Sequence, residues 1–276
     1  MAFSVIRTME ISRYKDGVFF VAVLVALAAA FATLQYLDAN NRLFLYLNQA
    51  TLPLGDTFWE CVTVLGDGLI ACILVAPFVS RKPRIVLATI SAALVVLGVV
   101  QGIKYFLGGL PRPVLIIPAD QMHYFGPYVA MNAFPSGHSA MAFVLAGVIG
   151  FAYRSWGLRT VLVFAATFVA LSRVAVGAHW PVDLLGGAFL GWASAGVGHL
   201  ISVYSPYAES RAVKLLFAFA LLGGAISIFF YDVTRYPGAY WLLRGIAVVA
   251  SMVLVVAIYR ELNSGGNARN PEAATP

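Results

Sequence analysis

Charged side chains are scarce in this sequence. Only 11% of the 276 residues are Asp, Glu, Lys or Arg, whereas 61% are hydrophobic. A soluble domain of ordinary composition carries roughly 25% charged residues, so this chain has too few of them to cover a surface in water. The scarcity excludes a soluble globular protein and predicts an integral membrane protein.

Cysteine is nearly absent as well. The two cysteines, Cys61 and Cys72, fall within one apolar stretch, so we expect buried free thiols and no disulfide framework. The sequence also lacks a Cys/His or carboxylate cluster with the spacing of a metal site. We therefore predict that the protein uses no metal and no other cofactor.

A continuous basic stripe is missing too. The formal net charge is +6, but the cations are spread over short loops, and nucleic-acid binding needs them clustered on one surface. We therefore predict no nucleic-acid partner. The first ten residues contain Arg7 but no apolar core, which argues against a cleavable signal peptide, and the first apolar run is long enough to stay in the bilayer as an anchor.

Long hydrophobic runs are abundant. A membrane-spanning helix needs about 20 mostly apolar residues, and this length predicts an all-α, polytopic transmembrane bundle of about eight spans. The predicted spans cover residues 17–36, 58–79, 85–107, 138–153, 159–176, 182–203, 214–231 and 241–259. We expect one transmembrane domain over residues 1–262 and a disordered polar tail over 263–276. The half-polar segment 39–53 fits either an amphipathic interfacial helix or a loop.

Lys and Arg are distributed unequally between the loops. If the N-terminus is cytoplasmic, most of them fall in cytoplasmic segments, as the positive-inside rule requires. Those segments lie around residues 7–15, 81–84, 154–159, 211–214 and 260–269. We therefore expect both termini on the cytoplasmic side of the membrane. We expect that membrane to be a bacterial inner (plasma) membrane. Three of the other cations, Lys104, Arg112 and Arg173, are predicted to face the periplasm or exterior.

Two of these cations lie near the predicted end of the third span. Lys104 is close to that end, and Arg112 follows a Gly108-Gly109 turn and begins an extended segment with Pro113. Both side chains could reach towards lipid headgroups, as terminal Lys and Arg often do. The alternative is that they bind a phosphate.

The segment Pro135-Ser136-Gly137-His138 begins the fourth predicted span. A helix N-terminus presents free N–H groups and a partial positive charge, which favour an anion. Ser136 could cap the helix or donate to a phosphate oxygen, and Gly137 would let a bulky ligand approach the backbone. His138 would then face that ligand. The alternative is a plain capped helix with an interfacial histidine.

The third segment joins the fifth and sixth predicted spans. Ser172-Arg173 ends the first of these, and His179 and Asp183, four residues apart, begin the next, so their side chains can meet on one helix face. A carboxylate bonded to one ring nitrogen fixes the tautomer and leaves the other nitrogen free as a nucleophile. The alternative is a first-turn acid that stabilises the helix beside an interfacial arginine.

In this order, the three segments resemble the type 2 phosphatidic acid phosphatase (PAP2) superfamily, whose fold is shared with vanadium haloperoxidases and glucose-6-phosphatases. The family motifs Pro-Ser-Gly-His and Ser-Arg-x5-His-x3-Asp match without a break. The first motif, Lys-x6-Arg-Pro, departs because seven residues separate Lys104 from Arg112, and the extra residue falls in the glycine turn. The resemblance covers about residues 40–203 and implies a six-helix core, followed here by an additional helix pair at about 214–259.

The resemblance implies a role for each matching residue. His179 would attack phosphorus and form a phosphohistidine, Asp183 would orient His179, and His138 would protonate the leaving oxygen and then activate water. The non-bridging oxygens of the substrate would be held by Lys104, Arg112, Ser136, Gly137 and Arg173.

The function implied by the resemblance is hydrolysis of a lipid phosphate or pyrophosphate in the bilayer. Phosphatidic acid, phosphatidylglycerol phosphate, polyprenyl pyrophosphate and lipid A phosphate are all candidates, and the sequence does not choose among them. A lipid phosphotransferase is the near alternative, and a non-catalytic phospholipid-binding or transport protein is the distant one. Besides the lipid substrate, we expect membrane lipids as partners and no obligate protein partner.

Four ionisable residues outside the motifs are further candidates for a functional or structural role. Asp67 lies deep in the second predicted span and could support a motif cation or serve only in helix packing, whereas Glu60 lies nearer the outer end and could reach water. We expect His123 to be a solvated residue of the aromatic loop 114–134, which could cover the site. His199 is remote from the motifs, and we expect it to be structural.

Overall fold

The computed structural model of the protein describes residues 2–230 and 235–264. Every regular element in these residues is a helix, which confirms the prediction of an all-α fold. The α-helices, numbered α1 to α11 in chain order, are Ala2–Tyr36, Asn40–Ala50, Asp56–Val64, Gly68–Ile73, Pro83–Phe106, Pro113–Ile116, Gly137–Ala152, Trp156–Ala175, Pro181–Tyr204, Arg211–Ser227 and Tyr240–Ser264.

Within the described residues, six helical segments are long and apolar enough to cross a membrane. They are Gly17–Tyr36, Pro83–Phe106, Trp156–Ala175, Pro181–Tyr204, Arg211–Phe230 and Pro237–Asn263. Each matches one of the eight predicted spans, so the chain is an integral membrane protein. The second predicted span is instead a bent pair of helices, and the fourth corresponds to α7, which has only 16 residues.

The bend in the second predicted span has a local cause. Helices Asp56–Val64 and Gly68–Phe78 meet at 60°. Between them, the carboxylate of Asp67 accepts hydrogen bonds from the backbone N–H groups of Leu69 (2.9 Å) and Ile70 (3.3 Å). This is an N-cap, which begins a new helix and ends the previous one. The hydropathy of the segment is continuous, so the interruption could not be read from apolar length.

Glycines bring α7 and α9 into backbone contact. A Cβ atom on Gly187 would lie 2.3 Å from the carbonyl oxygen of Ser136, and one on Gly191 would lie 2.0 Å from the carbonyl oxygen of Ala140. Small residues allow this close approach between membrane helices. Because α7 carries the second sequence motif and α9 carries part of the third, the contact brings the two motifs together.

The half-polar segment 39–53 contains α2, and one face of this helix is buried. The side-chain amide nitrogen of Asn48 donates to the carbonyl oxygens of Val174 and His123, each at 2.9 Å. The backbone N–H of His123 donates back to Oδ1 of Asn48 at 2.8 Å. Helix α2 therefore joins the end of α8 to the loop over residues 117–136.

Two smaller expectations differ from the structure. Helix α11 continues to Ser264, so the first two residues of the predicted disordered tail are helical, and residues 265–276 lie outside the part that the structure describes. Cys61 and Cys72 are free thiols as expected, but each is only partly buried.

Candidate active site

All three sequence motifs meet at one end of the bundle. The C-terminal ends of α5 and α8 and the N-terminal ends of α7 and α9 surround a cavity of about 240 Å³. Six of the eight predicted site residues line this cavity, and they are Lys104, Arg112, Gly137, His138, Arg173 and His179. These six predicted residues bring two imidazoles and three cations to the positive end of a helix dipole.

His179 and Asp183 form the predicted pair. Nδ1 of His179 lies 3.3 Å from Oδ2 of Asp183, and both side chains are buried. The same carboxylate oxygen accepts the backbone N–H of Trp180 at 2.9 Å, which fixes its position at the start of α9. With Nδ1 directed at the carboxylate, Nε2 is the ring nitrogen left for chemistry in the cavity.

Burial keeps the ring of His179 neutral. It lowers the pKa of His179 well below the ordinary value of 6.5, and the neighbouring cations Arg112, Arg173 and Lys104 lower it further. Each of these causes disfavours the imidazolium form. At neutral pH the ring therefore carries no charge, as a nucleophilic nitrogen must.

Backbone carbonyl groups hold the guanidinium of Arg112. Its Nε donates to the carbonyl oxygen of Met131 at 3.0 Å, and its Nη1 donates to that of Ala178 at 3.3 Å. Ala178 directly precedes His179, so this bond connects the first motif to the third. These bonds use only part of the donor capacity of the arginine, which has five N–H groups.

Arg173 is held by side-chain oxygens. Its Nη1 donates to Oγ1 of Thr63 at 2.7 Å and to the phenol oxygen of Tyr236 at 2.9 Å. Its Nε is buried and has no protein partner. Arg173 lines the cavity, and its guanidinium has more N–H groups than these two bonds use.

Ser136 and Gly137 have different positions at the start of α7. The side-chain oxygen of Ser136 accepts the N–H of Ser139 at 3.4 Å, and Ser136 is fully buried. It therefore caps the helix and does not line the cavity. Gly137 does line it, and a Cβ atom there would have no neighbour within 4 Å, so this side of the helix N-terminus is open to a ligand.

Lys104 reaches the cavity despite the extra residue in the first motif. It lies in the last turn of α5. The turn that follows contains Gly109 with φ of +91°, a backbone conformation that favours glycine. The additional residue is absorbed in this turn, so Lys104 and Arg112 line the same cavity.

Comparison with known proteins identifies a family with a similar sequence. A sequence model of the PAP2 superfamily matches residues 84–207, a range that contains all three motifs. Over this range, 124 of its 276 residues, the chain matches the PAP2 superfamily.

Three bacterial proteins are similar to this chain. The chain is 29% identical over 160 residues to the lipid A 1-phosphatase of Rhizobium etli, covering 54% of this chain and 67% of that one. It is 38% identical over 64 residues to YbjG of Escherichia coli, a proposed undecaprenyl-diphosphatase, covering 23% of this chain and 32% of that one. The crystal structure of Aquifex aeolicus LpxE aligns with a TM-score of 0.52 and 28% identity, covering 60% of this chain and 95% of that one.

The C-terminal helix pair supplies cavity residues that the motifs did not predict. Arg235 and Tyr236 line the cavity, and they lie in the connection between α10 and α11, beyond the PAP2 match. The backbone N–H of Gly238 donates to Oε2 of Glu60, and Sγ of Cys61 lies 3.6 Å from the carbonyl oxygen of Gly238. These bonds attach the connection to α3. Tyr236 belongs to none of the three motifs. From the sequence, a lone tyrosine near the end of a span indicates a membrane-interface residue.

The four ionisable candidates outside the motifs lie in different parts of the structure. Asp67 lines the cavity as well as capping α4, whereas Glu60 is buried beneath the α10–α11 connection. His123 lies at the surface, with Nε2 2.7 Å from Oδ1 of Asp56, so the expectation of a solvated loop histidine is confirmed. His199 lies at the opposite end of α9, with its ring stacked on Phe151 at 4.6 Å.

The donor groups facing the cavity suit an anion. Among residues 2–230 and 235–264, no three His, Cys, Asp or Glu side chains lie together as metal ligands would. The positive charge at the cavity is instead carried by lysine and arginine side chains. The predicted absence of a metal stays a prediction.

Proposed function

We propose that this protein is a lipid phosphatase that cuts a phosphate or diphosphate monoester through a phosphohistidine on His179. One observation carries the proposal: the neutral ring of His179 lies against a buried carboxylate and lines the same cavity as His138 and three cations. A site that only gripped phosphate would need the cations but not a second imidazole beside an oriented first one. The names of the PAP2 relatives, lipid A 1-phosphatase and undecaprenyl-diphosphatase, support the same class of substrate.

In the first step, Nε2 of His179 attacks phosphorus and the bond from phosphorus to the leaving oxygen breaks. His138, protonated when the anionic phosphate is bound, donates a proton to that oxygen, so an alcohol leaves neutral and a lipid phosphate leaves with one negative charge fewer. The Nδ1–H of His179 bonds to Asp183, which stabilises the positive charge that develops on the ring. Lys104, Arg112 and Arg173 would balance the charge on the non-bridging oxygens, since phosphoryl transfer depends mainly on positioning and charge stabilisation.

In the second step, a water molecule attacks the phosphohistidine. His138, now neutral, accepts a proton from the water, and the bond between phosphorus and Nε2 breaks. Inorganic phosphate leaves and both imidazoles return to their starting states. We expect turnover to withstand a chelator, because side chains supply the positive charge that a metal would otherwise provide.

We infer that the site faces the periplasm or exterior, with both termini in the cytoplasm. Lys and Arg outside the site concentrate at the opposite end of the bundle, where Arg81, Arg84, Arg154 and Lys214 line one cavity, and cytoplasmic loops carry such an excess. A bacterial inner membrane fits the sources of the relatives. The substrate would then be a lipid of the cell envelope with its headgroup in the outer leaflet.

The decisive experiment is phosphate release by the purified protein in mixed micelles. Phosphatidic acid, phosphatidylglycerol phosphate, polyprenyl diphosphate and a lipid A phosphate are each supplied, with and without a second lipid as acceptor. His179→Ala should lose release by about 10³-fold or more and still bind substrate. His123→Ala is the matched control, because His123 lies at the same end of the bundle but is paired with Asp56 at the surface.

Each alternative function predicts its own result. Phosphoryl transfer to the acceptor lipid in place of phosphate release would identify a phosphotransferase. Substrate binding without turnover of any lipid would identify a binding or transport protein. Native release by His179→Ala would show that His179 is not the nucleophile.

A further inference from the structure

A second cavity lies at the end of the bundle away from the candidate active site. It measures about 590 Å³ and is formed by the start of α5 and the ends of α7 and α9. Helix α5 connects the two cavities: Pro83 lines this one and Lys104 lines the other. At about 1.5 Å per residue, roughly 30 Å of helix separates them, so the second cavity is not part of the catalytic site.

The lining of this cavity is strongly basic. Five cations contribute to it, and they are Arg81, Lys82, Arg84, Arg154 and Lys214. Two of them pair with acids: Glu209 lies 2.7 Å from Nε of Arg84, and Glu261 lies 3.3 Å from Nζ of Lys214. Among the described residues, Arg81 and Lys82 have no acidic partner, and Nζ of Lys82 lies 3.7 Å from the ring centre of Tyr153. Their positive charge favours an anion.

Two further features of the cavity favour a phosphate. The first turn of α5 lines it, and no side chain caps this helix at Lys82, so the positive end of the helix dipole faces the cavity. Ser80 lines it too, and its hydroxyl oxygen is buried without a hydrogen-bond partner. A buried hydroxyl group without a partner is costly, and rotation of the Ser80 side chain towards a phosphate oxygen would satisfy it.

An apolar groove shares two residues with the basic cavity. Ser80 and Arg81 line both. The groove, about 360 Å³, runs along α11, where Met252 and Val256 are 64% and 47% exposed on the lipid-facing surface. A polar, basic cavity joined to an apolar groove has the amphipathic form of a phospholipid, and basic pockets between membrane helices are known to bind anionic headgroups.

We propose that an anionic phospholipid binds here, with its phosphate in the basic cavity and an acyl chain along α11. The lining contains one histidine, His199, whose ring stacks on Phe151, and it lacks the two imidazoles of the candidate active site, so we expect the lipid to be bound without cleavage. In the proposed topology, this site faces the cytoplasmic leaflet, at the opposite surface from the reaction. The proposal does not depend on the catalytic function.

The test is lipid binding to the purified protein, measured by native mass spectrometry and by thermal unfolding. Phosphatidylglycerol and phosphatidylcholine with the same acyl chains are compared, and glycerol 1-phosphate serves as the headgroup without a tail. We expect phosphatidylglycerol to bind at least tenfold more tightly than either and to raise the melting temperature. Arg81→Glu should remove that preference. Arg42→Glu, an equal charge change at an exposed arginine on α2, should keep it.

A second variant tests the groove without changing charge. Val256→Trp should fill the groove and weaken phosphatidylglycerol binding, while weak binding of glycerol 1-phosphate stays unchanged. The proposal is overturned if the two phospholipids bind equally or if Arg81→Glu binds as the wild-type does. It is also overturned if glycerol 1-phosphate displaces phosphatidylglycerol at equal concentration, since the site would then belong to a soluble phosphate.

Discussion

The phenol oxygen of Tyr236 lies 2.9 Å from Nη1 of Arg173 inside the bundle. Arg173 belongs to the third motif, whereas Tyr236 comes from the connection between α10 and α11, outside the range that matches the PAP2 family. The additional helix pair therefore reaches the candidate site and contacts one of its cations. Through this contact it can influence the chemistry without carrying a family motif.

Tyr236→Phe should weaken transition-state stabilisation. The change removes one of the two oxygen acceptors that hold Nη1 of Arg173, and a hydrogen bond to a charged group contributes about 1.5–3 kcal/mol. We expect kcat to fall by about tenfold or more, because the guanidinium of Arg173 is held less firmly in the transition state. We expect a smaller change in KM, because the substrate still contacts the guanidinium. Tyr128→Phe, on an exposed loop tyrosine, should leave both constants unchanged. A loss confined to KM would contradict a positioning role for Tyr236.

Asp183→Asn should separate catalysis from binding. The amide cannot stabilise the positive charge that develops on His179, and it can favour the wrong ring tautomer. In a serine protease triad, the equivalent replacement lowers kcat by about 10⁴-fold, and we expect a loss of about 10³- to 10⁴-fold here. Vanadate, which mimics the phosphoryl group during transfer, should still bind. Asp56→Asn tests a surface carboxylate that also pairs with a histidine, and it should retain full activity.

The pH dependence of turnover should reflect the lowered pKa of His179. A histidine with an ordinary pKa of 6.5 would become protonated and lose its nucleophilic nitrogen as the pH falls through 6.5. Because burial and nearby cations lower the pKa of His179, the ring should stay neutral there, and kcat limited by His179 should decline only at lower pH. We would measure single-turnover phosphate release at saturating substrate between pH 5 and pH 8.

Two substitutions of Arg112 provide the control for this pH profile. Arg112→Gln removes a positive charge that lowers the pKa of His179, so the acid limb should move to higher pH. Arg112→Lys keeps the charge and should leave the limb in place. If both variants shift the limb equally, the charge of Arg112 is not the cause.

Helix packing gives a prediction about stability. Gly191→Ala would place a Cβ atom 2.0 Å from the carbonyl oxygen of Ala140, so α7 and α9 would have to separate. We expect a loss of about 3 kcal/mol or more in the free energy of unfolding together with loss of activity. The control is Gly98→Ala on the exposed surface of α5, where a Cβ atom meets no neighbour within 4 Å and helix propensity improves by up to about 1 kcal/mol. Equal melting temperatures in detergent would refute the packing explanation.

Much of the candidate site could be predicted because its residues lie at helix ends. Apolar length gave the approximate positions of the spans, and the three motifs gave six of the residues that line the cavity. The spacing of His179 and Asp183 was also sufficient to predict their contact, since side chains four residues apart on a helix lie on the same face. Such local information depends on backbone geometry alone.

The sequence by itself determined the membrane-spanning helical class and the chemical groups of the site. Tertiary structure decided which distant residues complete it. Asp67 interrupts a hydrophobic run, Ser136 turns inward as a cap, and Tyr236 reaches Arg173 from 63 residues away. The caps at Asp67 and Ser136 are contacts within one helix end, whereas the contact between Tyr236 and Arg173 depends on which helices pack together. Apolar helices in a bilayer associate through shape and close backbone approach, and hydropathy does not encode that fit.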